Sequence, residues 1–168
     1  MPIASALDLV NLNVSTLKKS QISALPTSGR NPFPLSIIVR QVVSDRLALA
    51  GEKLRAGDGL VRNLEFRSAI SRHYYAMYHG ARAIVFAVER GDDYERHNEL
   101  PRHLPVTMND VRAREVELTE ARLLRNQADY DCYPVGQAGW EKDARELASI
   151  AATFLGACED FALTNGYV

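Results

Sequence analysis

The stretch SRHYYAMYHGARAIVF, Ser71 to Phe86, decides the fold. Its apolar and small residues recur at helical spacing, with none of the period-two alternation of a half-buried strand. Ser71, Tyr75, Tyr78 with His79, and Arg82 follow one another at three- and four-residue steps, which draws a polar stripe along an otherwise apolar helix. Burying phenols and a guanidinium costs several kcal/mol, roughly, unless they are mutually hydrogen-bonded or face a cleft. The stripe therefore reads as the wall of a site. His73 and His79 are six residues apart, on opposite sides of the helix, which excludes an i, i+4 zinc pair. No metal site is expected.

Outward from this stretch, the pattern predicts one long helix from about Asn63, read as its cap, to about Arg90, with Gly91 as the stop. Upstream, Leu35, Ile38, Val39, Val42, Ala50 and Leu54 mark a helix that Gly57 and Gly59 should end. Downstream, Asp92 to Pro105 is charged and interrupted by prolines. It reads as a loop with one short helical turn anchored by Leu100 and Leu104. A third helix is expected from Thr107, with Asp110 three residues on, to Tyr130, and a fourth from Ala138 to Thr164. Four amphipathic helices with short connections give an all-α fold, an antiparallel four-helix bundle with room for a fifth helix, over residues 35–168. Residues 1–34, rich in Ser, Thr, Asn and Pro, read as an N-terminal arm and linker.

The composition sets outer limits. With 168 residues, 46% of them apolar and 24% charged, one domain with a sizeable core is expected. A net charge of -1 supplies no global field to attract nucleic acid, so any RNA contact must come from a local patch. Cys132 and Cys158 form neither a disulfide framework nor a Cys/His metal spacing. No apolar run reaches the roughly 18 residues of a membrane span. The expectation is a cytoplasmic protein without a membrane segment. Glycine-rich phosphate loops, a nucleophile elbow and a Ser/His/Asp arrangement are all missing, which argues against a Rossmann or P-loop enzyme, and no cofactor is expected.

A second segment, ARLLRNQADYDCY from Ala121 to Tyr133, carries the other polar stripe. At 100° per residue, Arg114, Leu118, Arg125 and Asp129 share a narrow arc, with Arg122 at its edge. Leu123, Leu124 and Ala128 flank the same turn, so this end of the helix is expected to be partly buried.

SRHYYAMYHGARAIVF, a polar loop with His97 and LPRHL, then RNQADY and a final amphipathic helix together resemble the HEPN superfamily of helical bundles. The likeness is nearest to small stand-alone members with SRxYYAMFHAAR and RxxADY motifs, and it covers about Leu35 to Phe161. The resemblance implies a homodimer that works with a minimal nucleotidyltransferase as partner in toxin–antitoxin or defence settings. In active members an Arg followed by His after four to six residues cleaves RNA without metal. Arg125 and Asn126 match the motif, whereas the histidine positions hold Tyr130, Asp131 and Cys132. Phenol and carboxylate are poor proton carriers at neutral pH, and losing such a group typically costs about 10² to 10⁴ in rate. Binding of RNA, a nucleotide or the partner enzyme is the leading expectation. Ser71, Arg72, Tyr75, Tyr78, Arg82, Arg122, Asn126, Asp129 and Tyr133 are its candidate contacts. The alternatives are a metal-independent endoribonuclease toxin using Arg125 with Tyr130 or His79, and a non-catalytic dimeric interaction module.

Overall fold

The computed structural model describes residues 5–168. Six α-helices pack together: α1 Ala6–Thr16, α2 Lys19–Ser23, α3 Leu35–Arg62, α4 Phe66–Glu89, α5 Val111–Tyr130 and α6 Glu141–Thr164. No strand occurs among the described residues. The all-α bundle expected from the sequence is the observed architecture, with α3 to α6 as its long members and α4 at the centre, packed against α3, α5 and α6.

Helix α4 holds that position because its small residues let neighbours approach. Ala69, Ala76, Ala81, Ala83 and Ala87 are fully buried beside Ile70, Met77, Ile84 and Phe86. From α6, Leu147, Ala151, Phe154, Leu155 and Cys158 close the core. Each large apolar side chain buried in this way stabilises the fold by about 1.5–3 kcal/mol. Helix α6, taken with the 3-10 turn Gln137–Trp140 before it, is long and apolar enough by composition to cross a membrane. Its apolar stripe is used up in the contact with α3 and α4.

Three helix boundaries differ from the sequence reading. Helix α3 passes through Gly57 and Gly59 and ends at Arg62. Gly57 marks a close approach, not a stop: a Cβ there would lie 2.6 Å from the ring of the fully buried His73. Asn63 closes α3 instead of opening α4, and Leu64, at φ 62°, turns the corner between the two helices. Thr107 caps nothing. A turn closed by Met108 N donating to Pro105 O occupies this segment, and α5 starts at Val111 after Asp110 in the left-handed region.

The arm is partly helical and docked. Ser5 and Asp8 form a capping box at the start of α1, and Val14 and Ile22 enter the core. The segment after Gly91 follows a loop containing the 3-10 turn Leu100–His103, with Leu100 and Leu104 buried as anchors. Met1 to Ala4, also assigned to the arm, lie outside the described residues.

Candidate functional site

The two polar stripes meet where α4 packs on α5. Arg125 Nη2 donates to Tyr75 Oη at 2.8 Å, and its Nη1 donates to Asn126 Oδ1 at 3.2 Å. Arg125 Nε lies 2.8 Å from Asp129 Oδ2, although the angle is too bent for a hydrogen bond, so this contact is ionic. The other Asp129 oxygen accepts the Ser71 hydroxyl from α4. Ser71, Tyr75, Arg125, Asn126 and Asp129 therefore form one connected cluster across two helices. Tyr130, 72% exposed, stands beside it with its ring centroid 5.6 Å from the Arg125 guanidinium.

Helix α4 also fixes the end of α5. Arg67 Nε donates to Ala128 O at 2.7 Å, a second Arg67 nitrogen donates to Asp131 O, and the guanidinium covers the Trp140 ring. Cationic donors on the last carbonyls of a helix satisfy groups that lack intrahelical partners. They hold the turn that presents Asp129 and Tyr130. Arg67 precedes the SRHYYAMYH motif and has no spacing relation to α5, so the sequence gives no sign of this role.

The structure adds a residue that the sequence reading left outside the candidate set. His97, on the loop after α4, stacks on Tyr78 with ring centroids 4.2 Å apart and planes at 20°, and its Nδ1 is bonded to the Tyr74 hydroxyl. The residue as a whole remains exposed to solvent. Partial burial, followed by the charges of Arg125, Arg122 and Arg82, holds the His97 imidazole below its usual range. Burial raises the Tyr74 phenol, so Tyr74 keeps its proton. A hydroxyl can both donate and accept, so either ring tautomer of His97 is accommodated, and Nε2 has no partner among the described residues.

Arg122 has a buried Nε without a hydrogen-bond partner, and no carboxylate of the described residues lies within 4 Å of its guanidinium. Three guanidiniums, Arg125, Arg122 and Arg82, act on His97; Arg82 is paired with Asp92 and Arg125 with Asp129, which leaves Arg122 without a carboxylate among the described residues. The uncompensated charge of Arg122 beside an imidazole held only through Nδ1 favours an anion.

The remaining candidates fall elsewhere. Tyr78 is buried and donates to Glu95 O at 2.7 Å, so it supports the His97 loop from beneath. Arg82 is turned to Asp92, with Nε 2.8 Å from Oδ1, and shares that carboxylate with Arg46 of α3. His79 lines a cleft of about 410 Å³ between α1, α3 and α4 instead of facing Arg125. Burial first, then the charges of Arg82, Lys53 and Arg46, pushes the His79 imidazole down to about 4. Arg72 is exposed and bonds to none of the cluster, and Tyr133 is 79% exposed in the loop beyond α5. His73 is packed against α3, with Nε2 3.0 Å from Asp58 Oδ1. Among the described residues, no group of three His, Cys, Asp or Glu side chains is arranged to hold a metal ion. No protein-family model, curated protein or solved structure matches this chain.

Proposed function

We propose that the cleft between α4, α5 and the His97 loop binds the phosphodiester backbone of RNA, in a HEPN-like bundle of the toxin–antitoxin or defence type. The observation that carries this reading is the Arg122 guanidinium, without a carboxylate among the described residues, together with the Arg125–Asp129 pair beside an open imidazole. Arg125 is the anion anchor. Tyr75 and Asp129 hold it in place before a ligand arrives, which lowers the ordering cost of binding. The exposed Tyr130 ring offers a stacking face to an unpaired base.

A homodimer belongs to the same reading. Val116, Thr119, Leu123, Asn126 and Tyr130 follow one another at alternating three- and four-residue steps along one face of α5, and Tyr133 follows in the loop beyond it. Val116 and Leu123 are half exposed there, at 53% and 50%. The cognate nucleotidyltransferase implied by the resemblance is the proposed protein partner.

A second reading, cleavage, is favoured by His97. Its Nε2 would take the proton of a ribose 2′-hydroxyl as that oxygen attacks the adjacent phosphorus. The P–O5′ bond breaks, leaving a cyclic phosphate, and the departing 5′ oxygen takes a proton from water or from the protonated histidine. Arg125 neutralises the charge gathering on the phosphoryl oxygens. The test is one gel in chelator, with short single-stranded RNA and tRNA, comparing the native chain with Arg125→Ala and His97→Ala. Retention lost in Arg125→Ala supports the phosphate site, and cleavage lost in His97→Ala while retention persists supports the enzyme. A folded Arg125→Ala chain with full affinity for RNA would sink both.

A further inference from the structure

The loop that carries His97 is tied down by the N-terminal arm. Asp92 N donates to Leu17 O at 2.8 Å, Lys18 Nζ donates to Asp92 O and to Glu95 Oε2, both at 2.6 Å, and Lys19 N donates to Asp93 Oδ2 at 2.7 Å. The buried Asp92 carboxylate takes Arg46 and Arg82, and Arg46 also donates to Ser15 O. Residues 15–19 and 91–95 thus form one knot.

The sequence makes room for it. At Gly91 a Cβ would run into Lys19 N and lie 2.6 Å from Lys19 Cα, so no other residue lets the arm backbone pass. The same loop then delivers His97. Glu95 O accepts the Tyr78 hydroxyl, and two residues later His97 lies flat on the Tyr78 ring. The groups around His97 are Tyr74, Tyr75, Tyr78 and Arg82 from α4, Arg122 and Arg125 from α5, and Glu95 on its own loop.

The arm itself is lightly held. In α1 only Asn11 and Val14 are buried, while Leu7, Leu9 and Leu12 face solvent, and α2 adds Ile22. A segment with so little buried apolar area is released at lower free energy than the α3–α6 core.

We infer that Ser15 to Lys19 form a strap that positions His97. With the arm docked, the imidazole is held on Tyr78 beside Arg125; with the arm released, the loop loosens and His97 leaves the cleft. Ser15 to Lys19 are positioning residues, and whatever displaces α1 weakens the site from a distance. The coupling between arm and histidine is a property of the ligand-free protein. Its effect on RNA rests on the phosphate-site reading above.

The experiment uses the full chain and two variants, Gly91→Ala, which puts a methyl into the arm backbone, and Lys18→Met, a half-exposed change that leaves the core untouched. Without ligand, the His97 Cε1–H resonance is titrated by NMR and hydrogen exchange at Val14 and Ile22 reports docking of the arm. His97 should titrate below its usual value in the native chain. In Gly91→Ala it should move up towards about 6.5, by roughly half a unit or more, as Val14 and Ile22 lose protection. Lys18→Met should shift it the same way by less, and it gives the answer alone if Gly91→Ala fails to fold. A His97 titration identical to the native one in a variant whose Val14 and Ile22 have lost protection overturns the strap, and protection kept in both variants overturns it too, because these contacts then do not hold the arm. Short single-stranded RNA is then added: a shifted His97 with unchanged RNA affinity sinks the phosphate-site reading and leaves the strap standing.

Discussion

Arg125 and Tyr75 are joined across the α4–α5 interface by a 2.8 Å hydrogen bond, and the guanidinium lies 5.3 Å from the centroid of the same ring. One tyrosine therefore meets Arg125 with both its hydroxyl and its ring, which fixes the guanidinium plane before any ligand binds. Charged hydrogen bonds contribute about 1.5–3 kcal/mol each, so Arg125→Ala should weaken RNA binding by about 10- to 100-fold. Arg125→Lys should recover little of it, because an ammonium can neither present two parallel donors nor match the planar contact with Tyr75. Filter binding at fixed salt gives the affinity, and a thermal melt shows that the fold is intact.

Asp92 makes the opposite kind of prediction, on stability. Its carboxylate is 5% exposed and is shared by Arg46 and Arg82, while Arg46 is itself buried against Phe86. Asp92→Asn leaves two guanidiniums without their counter-charge and should cost about 3 kcal/mol in a urea melt. Glu95→Gln breaks the half-exposed pair with Lys18 and should cost less than about 1 kcal/mol. Equal losses in the two variants would show that Asp92 is not the centre of the knot.

These residues also mark how far the sequence could be read. The α4 stripe and the Arg125–Asp129 stripe are legible because helical periodicity alone puts each set on one face, and two such faces on adjacent helices are bound to meet. His97 is not legible. Its place depends on the path of a loop closed by Gly91, Asp92 and Glu95, and no periodicity encodes that path. Arg82 belongs to the stripe by spacing, yet its partner Asp92 lies beyond the end of α4 and draws it away from Arg125. Gly57 and Gly59 looked like a helix end because a glycine's backbone freedom is visible in sequence, whereas the ring it makes room for is not.

That ring gives the next prediction. A methyl at Gly57 would lie 2.6 Å from His73 Cδ2 and Nε2, and the imidazole has nowhere to go, being fully buried and bonded to Asp58. Helix propensity alone would make Gly57→Ala stabilising by roughly 1 kcal/mol. Overpacking of this kind costs about 1–3 kcal/mol, so the net change should be destabilising. Gly59→Ala, whose nearest neighbour is the flexible end of Arg62 at 3.7 Å, should be neutral or stabilising. A pair of urea melts separates the two, and a stabilised Gly57→Ala chain would mean that α3 and α4 can move apart.

Acid should unfold this protein through its histidines before its carboxylates. Burial lowers His73, burial with Arg82, Lys53 and Arg46 takes His79 down to about 4, and burial with Arg125 and Arg122 lowers His97. A histidine whose folded value lies below its unfolded value of about 6.5 binds more protons in the unfolded chain, so unfolding takes up protons as the pH drops. Its contribution is fully present above about 6.5 and is lost as the pH falls towards the folded value, down to about 4 for His79. The limiting slope is about 1.4 kcal/mol per pH unit for each fully buried group. His73 should come nearest to it, and the more exposed His97 should contribute least. The midpoint temperature should therefore be flat from about pH 8 to 7 and fall steadily from about 6.5 to 4.5, where the carboxylates of Asp92 and Glu95, themselves held low, are still charged. His79→Gln should flatten that fall at little cost at neutral pH, because its ring lines a cleft and makes no hydrogen bond among the described residues. A midpoint that stays level down to about pH 5 would mean that these imidazoles are solvated in solution.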